Sequence, residues 1–157
     1  MRRESILPEN RDVAIFGKVL YNRRIISTEV FRTIVFELMD ELPDEFFREL
    51  SGGVVVSEAP SVPGYAKGND LYTMGVYRVY SGVRQIALFK GSFDRVYPNA
   101  DEKQAKEILR GVLRHEIRHH LESLGGVRDA SSLEAEDARK KQAYLDRHAA
   151  AERTEPE

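Results

Sequence analysis

A chain of 157 residues is long enough to form one domain with a buried core. Its formal net charge of −2 gives no general attraction to nucleic acid or to anionic membranes. The absence of cysteine excludes disulfide bonds and thiolate metal ligands, so any metal must be held by histidine and carboxylate side chains. No apolar run approaches the roughly 20 residues of a membrane-spanning helix. The sequence therefore predicts a cytoplasmic protein that does not associate with a membrane.

Residues 1–26 mix basic and apolar side chains without a clean helical or strand period. We interpret them as an N-terminal extension that precedes the domain. The apolar run at residues 13–20 is broken by Lys18 and preceded by acidic residues, which matches a signal peptide poorly. A strand or a short helix is the better interpretation of that run.

The first regular elements of the domain follow Ser27. This residue and Thr28 offer a cap to a helix over residues 28–40, in which apolar residues recur at helical spacing. A β-branched run at residues 54–56 predicts a strand, and residues 71–80 and 83–90 predict two more, joined by a tight turn. We therefore expect an α+β domain in which a short β-sheet packs on helices.

A long amphipathic helix is predicted from Asp101 to Leu124. Acidic residues at its start complement the helix dipole, and apolar residues recur every three or four positions along it. The pair Gly125-Gly126 ends the helix. An acidic segment after residue 132 predicts a further, C-terminal helix. Residues 151–157 are predicted to be a disordered tail. The predicted domain therefore spans residues 27–150.

The sequence His115-Glu116-Ile117-Arg118-His119 lies inside the long helix. Two histidines four residues apart project from one helix face and can bind one zinc ion. Glu116 is then placed to reach a metal-bound water and act as a general base. So short a pattern also arises by chance, but a long amphipathic helix with acidic residues downstream favours the functional interpretation. His120 points about 100° away from His119 and is expected to pack or to form hydrogen bonds.

A third metal ligand is expected, because a catalytic zinc takes three protein ligands and keeps one position for water. The candidates are Glu134, in the first turn of the C-terminal helix, and Asp129, in the turn before it. The apolar pattern continues well past the second histidine of the motif, so the chain reverses late, and this favours Glu134. Asp137 lies one turn further along the same face, where it could accept an N–H from a ligating histidine.

Several stretches match a known family in order, at residues 36–43, 54–60, 75–77, 86–93 and the His-Glu-x-x-His-His core at 115–120. Together they resemble the small bacterial zincin-like metallopeptidases, or minimal zincins. The resemblance implies a compact α+β domain, with zinc at His115 and His119 and Glu116 as the catalytic base. In some members of this family, the motif continues as His-His-x-Gly-x-x-Asp. This chain differs from them, because residues 121–124 intervene before a comparable Gly-x-x-Asp stretch.

These features predict a zinc-dependent metallopeptidase in which a zinc-bound water, activated by Glu116, attacks a peptide carbonyl. Zincins bind an extended peptide along an edge strand, and residues 84–90 are the expected strand because they directly precede the active helix. The expected partner is a peptide or protein substrate, with no nucleic acid, and a monomer and a homodimer both fit. The alternative is a non-catalytic binding module on a zincin scaffold, with a structural or vestigial metal site.

Overall fold

The structure is a computed structural model that describes residues 13–16 and 19–22 as backbone, and residues 25–129 and 131–154 in full. It confirms the α+β class, because helices pack against a small mixed sheet. The elements in chain order are β1 (Val13–Phe16), β2 (Val19–Asn22), α1 (Thr28–Asp40), a 3₁₀ helix (Asp44–Phe47), β3 (Gly53–Ser57), β4 (Gly75–Tyr80), β5 (Val83–Phe89), α2 (Lys90–Val96), α3 (Glu102–Gly125) and α4 (Leu133–Thr154). None of the helices within the described ranges is long and apolar enough to cross a membrane.

Strands β1 and β2 form an antiparallel hairpin in the segment that we interpreted as an N-terminal extension. The remainder of residues 1–24 lies outside the described residues. Ile26, the last residue of the predicted extension, is buried in the hydrophobic core of the domain. The domain therefore includes at least this residue before α1.

The main sheet has the strand order β3–β5–β4, with β3 parallel and β4 antiparallel to β5. Ser81 and Gly82 both have positive φ, 47° and 77°, as the tight turn of a hairpin requires. The expectation that residues 84–90 form an edge strand was wrong, because β5 is the central strand. Its continuous buried run, Ile86 to Leu88, is typical of a strand that is covered on both sides.

The core lies between α1, α3 and the sheet. Ser27 caps α1 by accepting the N–H of Val30, and α1 buries Phe31, Ile34, Val35 and Leu38. A capping box between Asp101 and Gln104 begins α3, and Gly126 ends it with a left-handed φ of 70°. Both helices thus occupy the predicted positions to within a residue or two, because caps and apolar period are local signals.

Helix α4 is more exposed than the other long helices, and Leu133 is its one buried residue among those described. The Glu122 carboxylate of α3 accepts the N–H of Leu133 at 2.7 Å, which ties the start of α4 to α3. The helix continues through Thr154, so the predicted start of a disordered tail at residue 151 is corrected. Alanine and glutamate at residues 149–152 are strong helix formers, which explains the extension. Residues 155–157 lie outside the described part of the chain.

Candidate metal centre

Two imidazoles from α3 and one carboxylate from α4 converge on one point. The Oδ2 atom of Asp137 lies 3.0 Å from Nε2 of His115 and 2.7 Å from Nε2 of His119. One ligand atom from each of the three residues lies within 4.8 Å of the other two. We call these three residues the ligand cluster. Their side chains are 33, 21 and 38% exposed for His115, His119 and Asp137, so the point where they meet is open to solvent.

Partial burial of Asp137 opposes its ionisation. This effect is outweighed by hydrogen bonds from the two histidines, of which that from His119 is the larger, and by their charges. The pKa of Asp137 is therefore lower than its ordinary value. The carboxylate is therefore ionised at neutral pH and faces two nitrogen atoms. An ionised carboxylate and two imidazoles are ligands that a zinc ion accepts.

Glu134, the predicted third ligand, does not belong to the ligand cluster. It is exposed and lines a cavity of about 380 Å³ beside His119. Asp129, the alternative, accepts hydrogen bonds from the hydroxyl and backbone N–H of Ser131, which lower its pKa. The chain reversal between α3 and α4 brings Asp137, one turn beyond Glu134, opposite the two histidines. From the sequence, we predicted that Asp137 lies on the same helix face as Glu134 and accepts an N–H from a histidine. We did not predict it as a metal ligand.

Glu116 lies beside the ligand cluster and is 6% exposed. Burial raises the pKa of Glu116, while the neighbouring His115 and His119 oppose the rise. The backbone N–H of Tyr77 donates a hydrogen bond to this carboxylate. A carboxylate that is oriented by a backbone donor and has a raised pKa is suited to take up a proton and release it again. No local pattern of the amino-acid sequence indicates this contribution from Tyr77.

The close approach of β4 to α3 makes this contact possible. A Cβ atom at Gly75 would lie 2.8 Å from Val112 Cγ1 and 3.3 Å from Glu116 Cγ. Glycine at this position therefore lets the strand lie against the helix. As a result, the N–H of Tyr77, two residues further along β4, reaches the carboxylate.

His120 is fully buried and forms hydrogen bonds, as the sequence predicted. Its Nε2 atom lies 2.8 Å from the backbone oxygen of Arg48, and since a carbonyl only accepts, Nε2 carries the proton. In the neutral imidazole Nδ1 then accepts from the Tyr77 hydroxyl, 3.2 Å away. That hydroxyl in turn accepts from Nη1 of Arg84 at 2.7 Å. The side chains of His120 and Tyr77 thus hold β4 on α3 and are not free to bind a metal.

Cavities flank the ligand cluster along α3. The first, of about 530 Å³, is bordered by His115 and Glu116 and extends toward the start of α3. The second is the cavity of about 380 Å³ that is bordered by His119 and extends toward the end of α3. The ligand cluster therefore lies between two recesses.

Comparisons with known proteins give a relative but no activity. No protein-family model and no curated protein matches the chain. Among solved structures, a conserved hypothetical protein from Thermus thermophilus is similar, with 30% sequence identity and a TM-score of 0.54. The match covers 65% of this chain and 100% of that protein. The chain belongs to the same family as this hypothetical protein, which supports the α+β fold and leaves the function to the geometry of the site.

Proposed function

We propose that this protein is a zinc-dependent metallopeptidase, with the ligand cluster as the metal site and Glu116 as the general base. The observation that carries the proposal is the convergence of two imidazole nitrogens and one carboxylate oxygen beside a buried carboxylate. Catalytic zinc sites take three such protein ligands and keep a fourth position open. The partial exposure of the cluster leaves room for that position.

The chemistry divides between the metal and the protein. Zinc held by His115, His119 and Asp137 would supply a Lewis acid and would lower the pKa of a water molecule in its open position. Glu116, which the N–H of Tyr77 orients, would accept a proton from the attacking water and later donate it to the leaving amine. The hydroxyl of Tyr77 is engaged by His120 and Arg84, so this group is not the donor to the developing oxyanion.

An extended peptide has a path along β4, which replaces β5 as the candidate edge strand. The backbone oxygen of Met74 accepts the N–H of Phe89, and the antiparallel alternation then directs the polar backbone groups of Gly75, Tyr77 and Val79 away from β5. Of these groups, the Tyr77 N–H is used by Glu116. A peptide that adds to this edge would lie next to the ligand cluster.

Metal content tests the site directly. We expect about one zinc ion per chain in the purified wild type, loss of zinc in His115→Ala and retention in Glu116→Gln. The matched carboxamide variants Asp137→Asn and Glu134→Gln separate the two acidic candidates, and only Asp137→Asn should lose the metal. If Glu134→Gln loses zinc and Asp137→Asn retains it, the third ligand is Glu134, as predicted from the sequence. A wild type that takes up no zinc at neutral pH after metal loading would overturn the proposed function.

Peptide cleavage tests the reaction. The zinc-loaded wild type should cleave members of a mixed peptide library, and Glu116→Gln should lower the rate by about 10²- to 10⁴-fold with zinc retained, because general-base catalysis contributes on that order. Tight zinc binding without cleavage of any library member would favour the non-catalytic binding module.

A further inference from the structure

The cavity beside His115 and Glu116 has mainly apolar walls. Its lining includes Met74, Gly75, Tyr97, Ile108, Gly111 and Val112. Glu107 also lines this cavity, and it forms an ion pair with Arg110, which is not a lining residue. A neighbouring recess of about 760 Å³ shares Tyr97, Glu107 and Ile108 with it, so the groove continues along the first half of α3.

Gly111 is one of the residues that line this cavity. It is exposed in the interior of α3, four residues before His115 and therefore on the same helix face one turn earlier. Glycine is among the least favourable residues inside a helix. A Cβ atom at Gly111 would meet no atom within 4 Å. Packing within the described residues thus gives no reason for glycine, in contrast to Gly75.

The missing side chain leaves space directly beside the ligand cluster. Ile108 and Val112, at neighbouring positions of the same helix face, border that space with aliphatic groups, and Met74 offers a side chain that adapts to different shapes. Tyr97, 39% exposed, presents an aromatic ring to the same cavity. These groups match the chemistry of a large apolar side chain.

We propose that this cavity is the subsite for a large apolar side chain, aromatic or branched, of the substrate residue next to the scissile bond, with Gly111 as the specificity-determining residue. The inference rests on the proposed function, because it takes the ligand cluster as the place of reaction. A side chain larger than hydrogen at position 111 would extend into the subsite. The metal ligands and Glu116 would themselves be unsubstituted, and a Cβ atom at position 111 would lie more than 4 Å from all of their side chains.

Two hydroxamates that bind zinc test the subsite without any need for turnover. Acetohydroxamate has no side chain to fill the cavity, whereas 3-phenylpropanohydroxamate carries a phenyl group. We expect zinc-loaded wild type to bind the phenyl compound at least tenfold more tightly, measured by titration calorimetry. Gly111→Leu should abolish this preference while its zinc content and its affinity for acetohydroxamate stay at the wild-type level. Leucine is a better helix former than glycine, so this variant is expected to fold.

A control variant, Ala150→Leu, adds the same apolar bulk to an exposed position of α4 and should keep the full preference. Equal affinity of zinc-loaded wild type for both hydroxamates would overturn the subsite and leave the proposed function standing. Retention of the preference in Gly111→Leu would also overturn it. A wild type that takes up no zinc overturns the proposed function, and this inference falls with it.

Discussion

At the scale of single residues, glycines are present in this fold for opposite reasons. Gly91 lies at the start of α2 against the backbone of the β3–β4 connection, and a Cβ atom there would be 2.4 Å from Pro60 N and 2.6 Å from Glu58 O. Backbone atoms at such distances cannot move aside cheaply. By contrast, a Cβ atom at Gly111 would meet no other atom within 4 Å. One glycine satisfies the packing of the protein, and the other leaves room beside the ligand cluster.

The effects of alanine on stability should therefore differ in sign at the two positions. Gly91→Ala should lower the free energy of unfolding by about 1–3 kcal/mol or more, since overpacking costs that much. Gly111→Ala should raise it by up to about 1 kcal/mol, because alanine is the better helix former. Denaturant unfolding of both variants beside wild type measures the two values. A loss of stability in Gly111→Ala would show that glycine is needed there for packing after all.

At the scale of elements, ion pairs link α1 to α3. Nε and Nη2 of Arg110 donate to the two carboxylate oxygens of Glu41, both at 2.8 Å, and this bidentate contact joins the end of α1 to the middle of α3. The hydrogen bond from Arg110 lowers the pKa of Glu41, and the same contact raises the pKa of Arg110. The pair is solvent-exposed, so its contribution is small and sensitive to salt.

This pair predicts a specific dependence of stability on pH. Because the pKa of Glu41 is lower in the folded state than in the unfolded state, its contribution is complete above about pH 4.3 and is lost as the pH falls through the lowered folded value. Arg110 stays charged throughout. The difference in melting temperature between wild type and Glu41→Gln should therefore be constant near neutral pH and shrink below about pH 4. A difference that is the same at every pH would contradict this assignment.

The elements also mark how far prediction from the sequence reaches. The boundaries of α1 and α3 and the positions of β3 and β5 follow from caps, periodicity and turn residues, all of which act within a few residues. The order of strands in the sheet does not follow from such local signals, because strand pairing joins segments that are distant in the sequence. For this reason β5 was wrongly expected at an edge of the sheet. Whether Glu134 or Asp137 faces the histidines depends on how the chain reverses between α3 and α4, a geometry that no local pattern encodes.

At the scale of the whole molecule, few apolar contacts hold α4 in place. Besides the buried Leu133 and an edge contact between the rings of Tyr144 and Tyr65, the described links of α4 are mainly polar. They include the contact of Asp137 with the two imidazoles and the hydrogen bond from Tyr144 to Asp70, a residue of the β3–β4 connection. Nε2 of His148 lies 2.8 Å from Oδ2 of the same Asp70. A metal ion in the ligand cluster would join α4 to α3 more firmly than these contacts do.

Zinc should therefore protect α4 from hydrogen exchange more than it protects α1. A ligand that binds the closed arrangement alone stabilises it by mass action, and opening of α4 separates Asp137 from the histidines. We expect slower exchange in the first half of α4 on addition of zinc, and a much smaller change in Asp137→Asn. Equal slowing in all helices would show that α4 opens only when the whole domain unfolds.

The distribution of the ligand cluster over two successive helices also affects the order in which the site is assembled during synthesis. The ribosome releases α3, with both imidazoles and Glu116, before α4 with the carboxylate. A nascent chain thus carries Glu116 and two of the three residues of the ligand cluster until the later helix has emerged and docked. On the proposed function, peptide hydrolysis begins only after that step, so a partly synthesised chain is not yet a peptidase.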